Sequence, residues 1–240
     1  MKITGLLTGR YPIIKRYVFH LAGIMVPLVL ILNMCSLSVR EDKSYYPNGK
    51  IKFRLPKNES GQLHGLARFW YENGNLELTG EYENGVLNGK LSRYRENGII
   101  ESEDIYVDGK LNGMCRTFHY NGNVLSEMPY VNDTLHGMSR QFDDVGQIMI
   151  EGNYERGYFE GKWIYHDRLG NINGEAEFKQ GTGLKKSYDP EGNLTGTVEY
   201  MDNLMHGREI WYNKEGKQIT TRYYDQGSRV SYEVASPLQP

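Results

Sequence analysis

The sequence predicts an all-β protein: an elongated, single-layer antiparallel sheet of tandem 24-residue β-hairpins, preceded by one N-terminal hydrophobic helix. Three observations carry that expectation. A Gly recurs at Gly65, Gly89, Gly113, Gly137, Gly161, Gly183 and Gly207, with steps of 24 except one of 22, and in every copy but Gly183 an apolar side chain stands two residues earlier. A second Gly series marks turns at Gly49, Gly74, Gly98, Gly122, Gly146, Gly170, Gly192 and Gly216. A third line is always aromatic: Tyr82, Tyr106, Tyr130, Tyr154, Phe178, Tyr200 and Tyr224. All three series share one two-residue deletion between Gly161 and Gly192, and a common period with a common interruption is the signature of a repeat array.

The elements follow in order. Residues 1–16 form a basic segment, with Lys2, Arg10, Lys15 and Arg16 and no acid. Residues 17–39 carry no charge, and Leu21–Leu32 is strongly apolar. That length suits a transmembrane anchor or signal sequence spanning about 30 Å of hydrocarbon. Two fates stay open: an uncleaved anchor, or a lipoprotein-like signal in which Cys35, at the end of Leu32-Asn33-Met34-Cys35, is lipidated. Arg40, Lys43, Lys50, Lys52 and Arg54 follow the span closely and nearly cancel the Lys/Arg asymmetry that sets orientation. The expected location is membrane-anchored, with the repeat domain on the extracytoplasmic side, in the cell envelope.

Residues 40–227 are the repeat domain. Each 24-residue unit holds two turns, hence two short strands. Asn48-Gly49, Asn73-Gly74, Asn97-Gly98 and Asn121-Gly122 are dipeptides that suit type I′ hairpin turns. After each turn the strand alternates, with Leu76, Leu78, Gly80 and Tyr82 on one face and Glu77, Thr79, Glu81 and Glu83 on the other. Period two with one apolar face means a sheet solvated on its opposite face. Copies after residue 145 lose the Asn before the turn Gly (Val145, Leu169, Glu191, Glu215) and are expected to be the least regular. Residues 228–240 lack the pattern and read as a C-terminal cap or tail.

Composition excludes several functions. The net charge is −2, and the four bases of residues 1–39 leave residues 40–240 at −6. Such a balance offers no footprint for nucleic acid. Two cysteines, Cys35 and Cys115, allow neither a disulfide framework nor a four-cysteine metal site. His64, His136 and His206 share one slot in non-adjacent units and read as polar turn residues, not as a metal set. Glu81, Glu101, Glu103, Glu151, Glu175 and Glu177 fall on the outward register and read as a solvated acidic face. No phosphate loop and no nucleophile elbow occurs. The expectation is therefore a non-enzyme with no cofactor, no metal and no small-molecule substrate.

The motif G-x-x-x-x-W-Y-x-N-G-x-L-x-x-x-G-x-Y-x-x-G, read from Gly65 through Trp70, Tyr71, Asn73, Gly74, Leu76, Gly80 and Tyr82 to Gly85, resembles the variant MORN repeats of YwqK-type, antitoxin-like proteins. The likeness covers roughly residues 45–227. It implies hairpins stacked edge to edge in one sheet, and it raises a toxin as one partner. The reading of the residues gives a membrane-tethered scaffold that binds another protein of unknown identity, with Trp163, Tyr165 and Trp211 as candidate contacts because they lie outside the main aromatic line. Antitoxin action and peripheral lipid binding are the alternatives.

Overall fold

The computed structural model describes residues 40–234. The basic segment 1–16, the apolar span 17–39 with Cys35, and residues 235–240 lie outside the described residues. Among the described residues, nineteen strands make one antiparallel sheet. They are β1 (Arg40–Tyr45), β2 (Ile51–Lys57), β3 (Gly65–Trp70), β4 (Leu76–Glu83), β5 (Val86–Tyr94), β6 (Ile100–Val107), β7 (Lys110–Leu111), β8 (Gly113–Phe118), β9 (Val124–Val131) and β10 (Thr134–Leu135). There follow β11 (Gly137–Phe142), β12 (Ile148–Glu155), β13 (Tyr158–His166), β14 (Ile172–Lys179), β15 (Thr182–Tyr188), β16 (Leu194–Met201), β17 (Leu204–Tyr212), β18 (Gln218–Asp225) and β19 (Ser228–Val234). Each strand pairs with the next in sequence, as in β3 with β4 and β4 with β5. The pairs β7/β8 and β10/β11 are single strands interrupted at a glycine, because both members of each pair bond to the same neighbour. Residues 228–234, outside the repeat pattern, nevertheless add a strand to β18.

The two turn series differ in kind, and this corrects the turn type expected for the Asn-Gly dipeptides. In the turn at Gly74, the Gly74 N–H donates to Tyr71 O and the Tyr71 N–H to Asn75 O, both at 2.9 Å. Gly74 has φ +98° and Asn73 is not among the positive-φ residues. That is a type I turn closed by a glycine bulge. Asn73 serves as a bonding residue: its Oδ1 accepts the Asn75 N–H at 2.8 Å, and its Nδ2 donates to Glu96 O of the next turn at 2.7 Å. The type I′ turns lie at the other edge. Asn84 and Gly85 have φ of 49° and 85°, and they connect Glu83 and Val86, which pair directly. Arg156 and Gln180 adopt the same conformation at φ 51° and 49°.

The repeat glycines make bulges. Between β4 and β5 the register runs Tyr82↔Leu87 and then Gly80↔Leu91, so two extra residues sit on β5 around Gly89. Gly89 has φ +127°, and a Cβ there would lie 2.7 Å from the Cβ of Glu81. Only glycine fits such a place. The 22-residue step now has a physical cause. β14 and β15 pair without interruption from Lys179↔Thr182 to Gly174↔Ser187, and Gly183 has no positive φ. The deleted residues are the bulge.

Alternation follows the pattern read from the sequence. In β4, Leu76, Leu78, Gly80 and Tyr82 are buried or half-buried, whereas Glu77, Glu81 and Glu83 are exposed. The one unit that departs from the common pattern, β14–β15 without its bulge, lies after residue 145 as expected, yet the packed core lies there too. Trp163, Ala176 and Phe178 are buried, with Ile150, Tyr154, Phe159, Tyr165 and Tyr200 against them. Ring centroids are 4.6 Å apart for Phe159 and Trp163, and 5.5 Å for Phe178 and Tyr200. Tilted and edge-to-face pairs of this kind add to plain apolar burial. Losing a turn asparagine therefore does not loosen these units.

Candidate interaction surface

One face of the sheet is aromatic and the other charged. Along the aromatic face, one line of directly paired residues crosses the later strands: Trp163↔Ala176, Ala176↔Lys185, Lys185↔Val198, Val198↔Glu209 and Glu209↔Arg222. Beside it runs Tyr165↔Gly174, Gly174↔Ser187, Ser187↔Gly196 and Gly196↔Trp211. The three candidate contact residues thus share a face. Trp163 and Tyr165 are neighbours on β13, and Trp211 stands four strands away on β17.

Each of the three covers a glycine. A Cβ on Gly174 would meet the Tyr165 ring at 3.5 Å, one on Gly196 would meet Trp211 at 3.9 Å, and one on Gly152 would fall inside the Trp163 ring. The rings fill the space that glycine leaves on the pleat. Trp163 is also tied down by its Nε1–H, which donates to Asn153 O at 3.2 Å, and it is only 5% exposed. It belongs to the core and is not a surface contact, which corrects that part of the sequence reading. Tyr165 is half-buried and Trp211 is 41% exposed, so Trp211 is the accessible member.

The ionisable groups of this face stand in small sets on different strands. The Lys185 ammonium stands 3.9 Å from the Tyr165 ring centroid, and burial pushes its pKa down. Burial likewise raises the Tyr165 hydroxyl. Glu209, buried, accepts from Arg222 Nη1 at 3.2 Å and from the Tyr224 hydroxyl at 3.1 Å. Nearer the N-terminal end, burial raises both the Asp104 carboxyl and the Cys115 thiol, and a thiol shifted upwards is a poor nucleophile. Among the described residues no three His, Cys, Asp or Glu side chains converge as a cation site. His64 Nδ1 accepts the Asn84 N–H, and His206 Nδ1 the Gln226 N–H, each at 3.4 Å. They buttress the type I′ turns.

The charged face is not a bare acidic surface. Lys90–Glu103 at 2.8 Å, Arg116–Glu127 at 2.9 Å, Arg140–Glu151 at 3.5 Å and Lys162–Glu175 at 3.5 Å form ion pairs between successive strands. The sequence shows three acids of this ladder, Glu103, Glu151 and Glu175, on the outward register, but not Glu127 and not the basic partners. The bases are scattered through the preceding strand, and only the register brings the two together. Lys185 was missed for a similar reason: nothing in the repeat marks a lysine at a slot that elsewhere holds Ala67, Leu91 or Trp163.

The edges complete the surface. On the Asn-Gly edge, side chains reach from turn to strand across one unit: the Tyr46 hydroxyl donates to Trp70 O and the Tyr71 hydroxyl to Tyr94 O, both at 2.7 Å. Arg95 Nη2 donates to Phe118 O at 2.8 Å, and His119 Nε2 to Phe142 O at 3.0 Å. From residue 143 onward the same slot holds Asp143, Asp167, Asp189 and Asn213, which instead accept backbone N–H groups of their own turns.

With this geometry in hand, the family model described as MORN repeat variant matches residues 43–56, 63–84 and 111–132. These segments resemble MORN-variant repeats. The matched segments hold the type I turns at Gly49, Gly74 and Gly122, and the second and third end on Asn84 and Asn132, the first residues of type I′ turns. No curated protein matches the chain. Among solved structures, the chain is similar to one described as the crystal structure of TcdB2-TccC3-Cdc42, at 11% identity over 81% of this chain and 12% of that chain, with a TM-score of 0.18. The chain thus spans about an eighth of that chain's length. MORN repeats are in general modules that bind proteins or lipids.

Proposed function

We propose that the protein is a non-enzymatic, membrane-tethered repeat scaffold whose sheet binds another protein. The observation that supports this reading is the sheet itself: an open, two-faced surface with segments that resemble MORN-variant repeats, on which ionisable groups stand in small sets on different strands. General acid–base work needs two groups held around one reacting atom, and the spacing of Asp104, Lys185 and Glu209 along separate strands suits recognition instead. Tethering rests on the uncharged stretch 17–39, and the repeat domain is assigned to the extracytoplasmic side.

Two measurements test this. A reporter active only outside the cytoplasm, fused after Pro240, should be active, and one active only inside should be silent. The reverse result moves the sheet to the cytoplasm and makes a toxin the first partner to seek, as the likeness to antitoxin-like proteins implies. Photo-crosslinkers placed on both faces and both edges of the sheet in the full chain should capture a protein from at least one position. Capture from none would sink the scaffold.

A further inference from the structure

Tyr120, Val145 and Leu169 are the most exposed large apolar side chains among the described residues, at 77%, 72% and 83%. All three stand at the tips of consecutive turns on one edge: His119–Gly122, Asp143–Gly146 and Asp167–Gly170. The tips before and after are polar, Glu96-Asn97 and Pro190-Glu191. Turn stability does not call for these residues. The slot of Val145 and Leu169 holds Asn73 or Asn121 elsewhere, and those asparagines bond the following turn, Asn121 donating to Asp144 O at 2.6 Å. Val145 and Leu169 give up that bond and bury nothing in return.

The charges around the tips are of one predominant sign. Asp143 Oδ1 accepts the N–H of Val145 at 3.1 Å and of Gln147 at 2.8 Å. Asp167 Oδ1 accepts from Leu169 at 2.8 Å and Asn171 at 2.9 Å. With Glu96, Asp144, Asp189 and Glu191 these make six acids against two bases, Arg95 and Arg168, a net of −4. The Arg95 guanidinium is already engaged over the Tyr120 ring, 4.4 Å from its centroid.

Successive tips on one edge are two strands apart, about 10 Å. Seven residues of an α-helix advance about 10.5 Å. We propose that this edge docks an amphipathic helix of a partner protein, one with apolar residues at seven-residue spacing flanked by Lys or Arg. Each apolar side chain meets one tip, and the bases lie against the carboxylates beneath. This deepens the scaffold reading and rests on it.

The test uses the full chain in nanodiscs of zwitterionic lipid, with empty nanodiscs as the blank. The probe is a fluorescent helical peptide carrying Leu at positions i, i+7 and i+14 and Lys between them, followed by anisotropy. Binding is expected, falling at least tenfold with Val145→Asn combined with Leu169→Asn, which restores the residue other turns use there. A peptide with Glu for Lys should not bind. Equal binding by the double variant, equal binding of the Glu peptide, or no binding of the Lys peptide overturns the proposal. So does a blue shift, without peptide, of an environment-sensitive fluorophore at position 169 in nanodiscs, which would place the tips in lipid. A partner captured by crosslinkers on either face but not at 145 or 169 overturns this docking edge while leaving the scaffold standing.

Discussion

The turns on the Asn-Gly edge divide the repeat domain into two regions that hold their units together differently. From Tyr46 to Asn123, side chains at the turn cross to the next unit: Tyr71 and Asn73 each reach a carbonyl of the following one. From Asp143 to Lys217, the carboxylate or amide at the turn's first position closes its own loop, and units are joined instead by rings, Tyr154, Phe159, Trp163, Phe178 and Tyr200. The first region is a ladder of hydrogen bonds at its rim, and the second is stapled through its middle. In a repeat array stability is a sum over neighbouring units, so the same architecture accepts either currency at each junction.

The largest expected effect lies in the second region. Trp163→Ala should lower stability by about 3–5 kcal/mol, the range for deleting a buried large ring, while Tyr106→Ala in the half-buried line of the first region should cost at most half of that. Urea unfolding of the full chain in detergent checks both, and equal losses would break the contrast. Next, Asn121→Ala removes the amide that donates to Asp144 O and accepts from Asn123 N–H. It should cost about 1 kcal/mol, whereas Val145→Ala, at the equivalent slot one unit on, should stay within about 0.5 kcal/mol. A costly Val145→Ala would show that the second region depends on its tips as well.

Acid should separate the regions with a smaller effect. Hydrogen bonds from Asn171 and Asn193 hold the Asp167 and Asp189 carboxyls below the ordinary aspartate value of 3.8. Their folded-state contribution is thus complete above that value and lost as pH falls through the depressed ones. Amide exchange at Leu169, Asn171 and Asn193 should accelerate in that acid range, once corrected for intrinsic rates, while Asn75 and Asn123, held by the neutral Asn73 and Asn121, keep their protection. Uniform loss at both sets would remove the distinction between the two kinds of turn.

The repeat, the strand alternation and the sheet were legible because Gly at φ > 0 and a ring every 24 residues are demands made by the backbone and the pleat. Turn type was not. Asn-Gly serves type I turns with a glycine bulge as well as type I′ turns, and what decides is the loop length set by pairing, five residues between Trp70 and Leu76 against two between Glu83 and Val86. Trp163 was misplaced because an aromatic outside the main line gives no hint, without the register, that Gly152 lies beneath it. Val145 and Leu169 were noticed in the sequence, but as decay of a turn and not as apolar tips sharing an edge with Tyr120.

The bulges set a rule of parity. At the repeat glycines the register jumps by two, as from Tyr82↔Leu87 to Gly80↔Leu91, and in β14–β15 it does not jump at all. Either way the count stays even, so each side chain beyond the glycine keeps its face. A unit can be 22 or 24 residues long and still present Phe178 and Tyr200 to the same side. A unit of 23, shortened at that same junction, would turn its ring line towards water. The array therefore tolerates length change only in pairs of residues at these glycines, which lets its spacing along the type I′ edge vary while its two faces stay distinct.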